Sequence, residues 1–130
     1  MITPKERAVK SSEVMWNDDR ASSWLGMKID DANEGSAKLS IQVEENHTNG
    51  HGICHGGIIF ALADSAFAFA CNSRNQKTVA QHNFISYIAP AQLGDELTAI
   101  AQEVSLDGRN GIYDVKVINQ NKITIAEFRG

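Results

Sequence analysis

The longest apolar stretch of the chain runs from Ile58 to Cys71 and reads IIFALADSAFAFAC, interrupted only by Asp64 and Ser65. A segment that is apolar on all its faces is typical of a helix buried inside a protein. As a helix it would be about 21 Å long, short of the roughly 30 Å that a membrane span must cross. The pattern therefore predicts a core helix that contains one carboxylate.

Alternating apolar and polar positions predict strands on both sides of this helix. Residues 27–31 and 36–43 predict a β-hairpin around Asn33-Glu34-Gly35, and four further strands are predicted at 78–88, 96–106, 112–118 and 123–128. Apolar residues with helical spacing predict a short N-terminal helix at about 11–25. Segment 44–57 holds four of the ten glycines and three of the four histidines, which indicates a loop.

These elements predict an α+β fold in which a curved antiparallel sheet of five to six strands wraps one long buried helix. The length of 130 residues is that of one domain, so we expect residues 1–130 to form a single unit. One sheet covers only one side of a helix that is apolar all round. The uncovered helix surface and the sheet edge therefore predict at least a homodimer.

Charge and composition narrow the possible functions. The net charge is −4 and the Lys and Arg residues are scattered, which argues against a nucleic-acid partner. The first residues lack the apolar core of a secretory signal, so together with the short apolar run we expect a cytoplasmic protein that does not enter membranes. Cys54 and Cys71 are expected to be reduced thiols in such a compartment.

Two features of the helix suggest chemistry. His55, Gly56 and Gly57 precede it, and the first N–H groups of a helix have no internal partners, so they could hold a developing oxyanion. Asp64 lies within the apolar run, where a carboxylate needs either donors or a chemical task. Eight residues of helix separate Gly56 from Asp64 by about 12 Å. If both serve one site, Asp64 must therefore come from a neighbouring subunit.

Several short motifs in one order resemble the PaaI-like hotdog-fold thioesterases of the phenylacetate-degradation type. The resemblance covers most of the chain and extends to Phe84-Ile85-Ser86-Tyr87 and Gly111-Ile112-Tyr113-Asp114-Val115. The other motifs are Asn49-Gly50-His51, Cys54-His55-Gly56-Gly57, Leu62-Ala63-Asp64-Ser65-Ala66-Phe67-Ala68 and Ala70-Cys71-Asn72-Ser73. The family implies a hotdog fold, a homodimer that assembles into a homotetramer, and hydrolysis of acyl-coenzyme A, with aryl-acetyl or hydroxyphenylacetyl groups favoured. It implies no cofactor, because coenzyme A is part of the substrate.

The resemblance also implies roles for individual residues. The Gly56 N–H would polarise the thioester carbonyl, and Asp64 of the other subunit would act as general base or nucleophile. Asn49 would orient water or the acyl group, and His55 would support the carbonyl site or the thiolate. Independently of the resemblance, Gly57 would let the substrate approach the backbone closely. Ser65 would help to hold the substrate or, as we slightly favour, cap polar groups of the protein itself.

Other interpretations of the same residues are weaker. A zinc site of His47, His51 and His55 would need a helix across a glycine-rich segment. A Cys54 nucleophile would lack a third group to orient its neighbouring histidine, and the glycine spacing fits no dinucleotide or P-loop motif. A hotdog dehydratase and a non-catalytic acyl-CoA sensor share the implied fold. A sensor would not need the carboxylate of Asp64. A dehydratase would rely on a histidine for proton abstraction, whereas the buried helix here carries an aspartate.

Overall fold

Three α-helices and six strands make up the protein, whose computed structural model describes residues 1–130. Two N-terminal helices and a β-hairpin precede the long helix, and four strands follow it. In chain order the elements are α1 (Pro4–Asp18), α2 (Arg20–Leu25), β1 (Lys28–Asn33), β2 (Ser36–Gln42), α3 (Gly56–Cys71), β3 (Phe84–Tyr87), β4 (Glu96–Asp107), β5 (Asn110–Ile118) and β6 (Thr124–Arg129).

All six strands form one antiparallel sheet in the order β1-β2-β4-β5-β6-β3. Helix α3 and the loop after it carry the chain from β2 to β3 at the far edge. The chain then returns to the middle of the sheet as β4 and finishes as a β4–β5–β6 meander. The structure confirms the predicted α+β class and a sheet of five to six strands around one helix.

Helix α3 is the centre of the hydrophobic core. Its apolar side chains pack against β2, β4 and β5, and four of its residues have no measurable exposure: Leu62, Ala63, Ala66 and Ala70. Phe69 on the same helix lies 6.3 Å from the Trp16 ring of α1, measured between ring centroids. No helix of the structure is both long and apolar enough to cross a bilayer.

The N-terminal segment differs from the single helix predicted at about 11–25. It forms two helices, and the first already begins at Pro4, where the Thr3 hydroxyl accepts a hydrogen bond from the Glu6 N–H. Asp19 separates the two helices, because its carboxylate caps the start of α2 through the Ser22 N–H. The capping groups at positions 3 and 19 define the real boundaries, and the expected start at Ser11 was wrong.

The strand predicted at 78–88 is much shorter in the structure, where β3 spans only Phe84–Tyr87. The residues before it are held by the end of α3 rather than by a neighbouring strand. The Asn72 side chain accepts from the Thr78 N–H at 2.8 Å and donates to the Thr78 carbonyl at 3.0 Å. The backbone groups of Thr78 therefore bond to a side chain instead of to a neighbouring strand.

The other strand predictions are accurate, including an irregularity late in β4. Leu97, Ala99 and Ala101 point into the core, whereas Val104 and Leu106 are exposed. The register between β4 and β5 shifts between Glu103 and Ser105, which is a β-bulge. From residue 104 to the end of β4 the side chains are all exposed.

Replacement of Leu62 by alanine should lower the free energy of unfolding by about 2–5 kcal/mol, because the side chain is fully buried between α3 and the sheet. Urea unfolding followed by circular dichroism measures this loss. The matched control is Leu93→Ala, at a position that is 53% exposed, which should change stability by less than about 0.5 kcal/mol. Equal losses in the two variants would contradict the central place of α3 in the core.

Candidate active site

The start of α3 presents a free backbone donor. His55 is the N-cap residue in extended conformation (φ −61°, ψ 134°), and its Nδ1 accepts a hydrogen bond from the Gly57 N–H at 2.8 Å. The Gly56 N–H makes no hydrogen bond within the chain. This amide lies at the positive end of the helix dipole and is therefore able to bind a carbonyl oxygen or an oxyanion.

Packing explains why glycine occupies both positions after His55. A Cβ atom at Gly56 would lie 3.2 Å from the Tyr87 ring, and one at Gly57 would lie 3.0 Å from Nδ1 of His55. The Tyr87 hydroxyl also donates to the Gly56 carbonyl at 2.9 Å. Strand β3 is thereby attached directly to the first turn of α3.

Asn49 fixes the conformation of the loop that leads into α3. Its side-chain oxygen accepts from the His51 N–H at 2.9 Å and from the Ile53 N–H at 3.4 Å. The backbone closes the same turn, because the Asn49 N–H donates to the Ile53 carbonyl. The side-chain nitrogen of Asn49, Nδ2, makes no hydrogen bond within the chain and remains available to a ligand.

Both ring nitrogens of His47 contact backbone groups of the protein itself. Its ring is buried, Nδ1 accepts from the Glu44 N–H at 3.0 Å, and Nε2 lies 2.9 Å from the Leu25 carbonyl oxygen. The chain around it forms only one short 3₁₀ turn, Glu45–His47, so His47, His51 and His55 do not share a helical face.

Asp64 is half-buried on α3 and accepts one hydrogen bond, from Nδ2 of Asn83 to its Oδ1 at 3.2 Å. Burial raises the pKa of this carboxyl group, the Asn83 amide opposes that effect, and the charge of Asp19 adds to it. No cation forms an ion pair with Asp64. A carboxylate that is poorly solvated and not neutralised by a cation is a stronger base than one in water.

Ser65 faces a different direction from its neighbour. Its hydroxyl lies 2.8 Å from the Ser22 hydroxyl, which donates to Asp19 at 2.7 Å. The chain of hydrogen bonds ties α3 to the capped start of α2. In this arrangement Ser65 serves to join two helices.

The cysteines are free thiols, with Cys54 buried and Cys71 half-buried. Burial raises the pKa of each thiol to about 11. Both are therefore protonated at neutral pH, which argues against a Cys54 thiolate as nucleophile.

A cavity of about 680 Å³ lies beside the half of α3 that follows Asp64. Phe67 and Cys71, one and two turns beyond Asp64, form part of its wall, together with Tyr113 of β5. Its charged lining residues are Arg74, Lys77 and Arg109, with no carboxylate among them. This volume is in the range of sites that hold small molecules.

Within one chain the structure brings together only part of the predicted site. His55, Gly56 and Gly57 form the start of α3, and Asn49 shapes the loop before it. Asp64 remains about 12 Å along the helix axis from Gly56, two turns away.

Sequence reasoning missed two residues that contact the site. Asn83 binds Asp64, and Tyr87 binds Gly56, although both are distant from their partners along the chain. A polar residue placed directly before an apolar strand was the only signal available for Asn83.

Comparison with known proteins identifies the family to which this chain belongs. The family model described as the thioesterase superfamily matches residues 51–126. The chain is 40% identical to the acyl-coenzyme A thioesterase PaaI of Escherichia coli over 124 residues, which cover 95% of this chain and 89% of that protein.

Two solved structures extend the comparison. The E. coli PaaI protein of the phenylacetic acid degradation operon superposes with a TM-score of 0.97 and 38% identity, covering 98% of this chain and 93% of that one. A Streptococcus mutans protein bound to acetyl CoA superposes with a TM-score of 0.76 and 28% identity, covering 80% of this chain and 84% of that one.

The chain therefore belongs to the thioesterase superfamily and has its hotdog fold, and it is a thioester hydrolase. Within that superfamily it is PaaI-like, as the motifs around α3 predicted.

Replacement of His55 by alanine should lower the free energy of unfolding by about 1 kcal/mol, because the Gly57 N–H loses its capping acceptor. His55→Asn, which offers a side-chain oxygen as acceptor in place of the ring nitrogen, should restore most of that loss. Thermal and urea unfolding of the two variants provide the measurement. Equal stability of His55→Ala and the wild type would show that the cap contributes nothing.

Proposed function

We propose that this protein hydrolyses the thioester of aryl-acetyl-coenzyme A, such as phenylacetyl- or hydroxyphenylacetyl-CoA. The observation that carries the proposal is the pairing of an unpartnered Gly56 N–H at a helix start with an uncompensated carboxylate, Asp64, on the same helix. No cofactor is required, since coenzyme A is part of the substrate and its thiolate is a good leaving group.

In this mechanism the carbonyl oxygen of the thioester binds the Gly56 N–H. Negative charge develops on that oxygen when the carbonyl carbon is attacked, and a fixed donor at the positive end of a helix stabilises it. The donor is already free, so no protein hydrogen bond is broken when substrate binds. The Asn49 amide group and the exposed His55 ring lie in the same segment and can contact the acyl group, the water or the leaving thiolate.

Asp64 supplies the other half of the reaction. As a general base it removes a proton from water as the water attacks the carbonyl carbon, and the C–S bond then breaks to release the coenzyme A thiolate. As a nucleophile it forms a mixed anhydride that water hydrolyses. In both cases the group acts as a carboxylate, so activity falls as the pH drops through its raised pKa.

The 12 Å between Gly56 and Asp64 supports a shared site between two subunits, in which each carboxylate serves the partner's helix start. One edge of the sheet supports such pairing. Strand β3 has a neighbour on one side only, and its exposed side chains include Phe84 and Tyr87, followed by Ile88. Since Tyr87 also binds the Gly56 carbonyl, a dimer through this edge would bring the partner close to the carbonyl site. A homotetramer would pair two such dimers.

Two observations support an aryl-acetyl substrate. The cavity beside the second half of α3 has aromatic side chains, Phe67 and Tyr113, in its wall and enough volume for a phenyl ring. PaaI of E. coli, the relative with a TM-score of 0.97, comes from a phenylacetic acid degradation operon. Medium-chain acyl groups are the competing substrates for the same space.

Two cations in the wall of the cavity form no ion pair. Arg74 is paired with Glu103, and Arg129 with Asp114. Lys77 and Arg109 form no ion pair, and both line the cavity. They would contact the phosphates if the coenzyme A part of the substrate, and not its aryl-acetyl group, occupies this cavity.

The proposed reaction is tested with phenylacetyl-CoA, octanoyl-CoA and acetyl-CoA, by following release of the free thiol. Phenylacetyl-CoA should give the highest kcat/KM. Asp64→Asn should lower kcat/KM about 10²–10⁴-fold, because the amide can neither accept the proton of water nor attack the carbonyl carbon.

The control for this variant is Asp107→Asn, at an exposed carboxylate at the end of β4, which should leave the rate unchanged. Asp64→Asn should fold normally. Burial raises the pKa of Asp64, so the folded protein loses stability as the pH rises through that pKa, and removal of the charge should not destabilise it at neutral pH. Wild-type turnover by a correctly assembled Asp64→Asn protein would refute the mechanism.

A mixture of two inactive variants tests the shared site. Gly56→Pro removes the N–H at the first position of α3, where proline is tolerated, and the extended His55 is compatible with a following proline. Gly56→Ala crowds Tyr87 in a similar way but keeps the N–H, so it should retain more activity.

When Gly56→Pro and Asp64→Asn chains are refolded together, about half of the dimers contain one chain of each kind. Each of these has one intact site and one with both defects, so the mixture should recover about a quarter of wild-type activity. A mixed dimer, verified with two affinity tags, that is no more active than its parents would place the site within a single chain.

A further inference from the structure

Asp64 has one hydrogen-bond partner in the chain, and it is a side chain that the proposed mechanism does not use. Asn83 lies directly before β3, and its Nδ2 donates to Oδ1 of Asp64 at 3.2 Å. The two residues are 19 positions apart in sequence, so the contact depends on the fold.

The other end of the Asn83 side chain has no partner. Its Oδ1 is buried and accepts no hydrogen bond. It is enclosed by Gly130 and Phe67, since a Cβ atom at Gly130 would lie 2.8 Å from this oxygen and 2.9 Å from the Phe67 ring. A buried amide with an unsatisfied oxygen is unfavourable by itself. Its contact with Asp64 is what this side chain contributes.

The direction of the amide follows from the charge of Asp64. With Nδ2 toward the carboxylate, Asn83 donates a hydrogen bond to it. A flipped amide would place an oxygen against the ionised carboxylate, and only a protonated Asp64 could donate to it. The observed direction therefore belongs to the ionised form of Asp64.

We propose that Asn83 is a positioning residue for catalysis, which holds the Asp64 carboxylate ionised and in one orientation. This inference rests on the proposed function, because it assigns Asn83 a role through Asp64. Asn83 does not itself contact the carbonyl that the Gly56 N–H binds.

No other group around Asp64 favours its ionised form, which makes the hydrogen bond from Asn83 important. Asp19, at the start of α2, is the charged group that faces it from the neighbouring helix, and its charge disfavours ionisation of Asp64. Cys71 lies two turns further along α3 as a neutral thiol. The Ser65 hydroxyl binds Ser22 and gives no hydrogen bond to Asp64. The Asn83 amide is the one group that lowers the pKa of Asp64 against burial and Asp19.

A neutral donor has a chemical advantage over a cation at this place. Lysine or arginine would lower the pKa of Asp64 further but would neutralise the charge that attacks or accepts a proton. An amide fixes one oxygen and leaves the second free. Asp64 Oδ2 makes no hydrogen bond within the chain and is the oxygen that can act.

The test compares two variants of nearly the same shape, Asn83→Leu, which removes the donor, and Asn83→Asp, which replaces it with a second carboxyl group. Both should raise the pKa of Asp64, and Asn83→Asp more strongly. The acidic limb of the kcat/KM profile should therefore move to higher pH, so that the loss relative to wild type grows as the pH is lowered. Asn121→Leu, at an exposed turn, is the matched control and should leave the profile unchanged.

A direct titration separates this inference from the proposed function. The ¹³C carboxyl signal of Asp64 is assigned by its disappearance in Asp64→Asn, and its midpoint should be higher in Asn83→Leu than in the wild type. If Asp64→Asn remains active, the proposed mechanism fails, whereas the midpoint still reports on Asn83. An unchanged midpoint and an unchanged acidic limb in folded Asn83→Leu, or in Asn83→Asp if the first variant does not fold, would overturn the inference.

Discussion

The structure depends on covering a helix that has almost no polar face. Helix α3 packs against β2, β4 and β5 on one side, and α1 adds Trp16 against Phe69. A helix of this kind cannot exist at the surface, so the sheet must curve around it and the chain must cross from one sheet edge to the other to continue. The hairpin, the long crossover and the meander are consequences of that requirement.

The same requirement determines where polar groups on α3 can be. Each has a specific partner: Ser65 reaches Ser22 on α2, and Asp64 reaches Asn83 before β3. The start of the helix is closed by the His55 cap except for one amide. The chemistry is thus confined to two places along an otherwise apolar element, a backbone donor at its beginning and a carboxylate two turns later.

Sequence patterns predicted those parts that rest on local periodicity or on a fixed turn. The hairpin at Asn33 to Gly35, helix α3 and the β4–β5–β6 meander follow from alternation and glycine positions. Two predicted elements had wrong boundaries, because in each case a single side chain sets the boundary. Asp19 splits the N-terminal helix, and Asn72 holds Thr78 away from the sheet. Gly56 and Asp64 stood out because they break a local pattern. Asn83 and Tyr87 act across the fold, and no local pattern shows that they contact Asp64 and Gly56.

The proposed carbonyl-binding group is the main-chain N–H of Gly56, whereas the proposed base is a side chain. The two halves of the site therefore differ in how mutation can reach them. Any change at position 64 except to glutamate removes the carboxylate itself. At position 56 every residue except proline still carries the N–H, and an added side chain acts through the crowding of Tyr87. Mutations would therefore change carbonyl binding mainly through the neighbours that orient the Gly56 N–H. Strand β3, which carries Tyr87, is as important for that orientation as Gly56 itself.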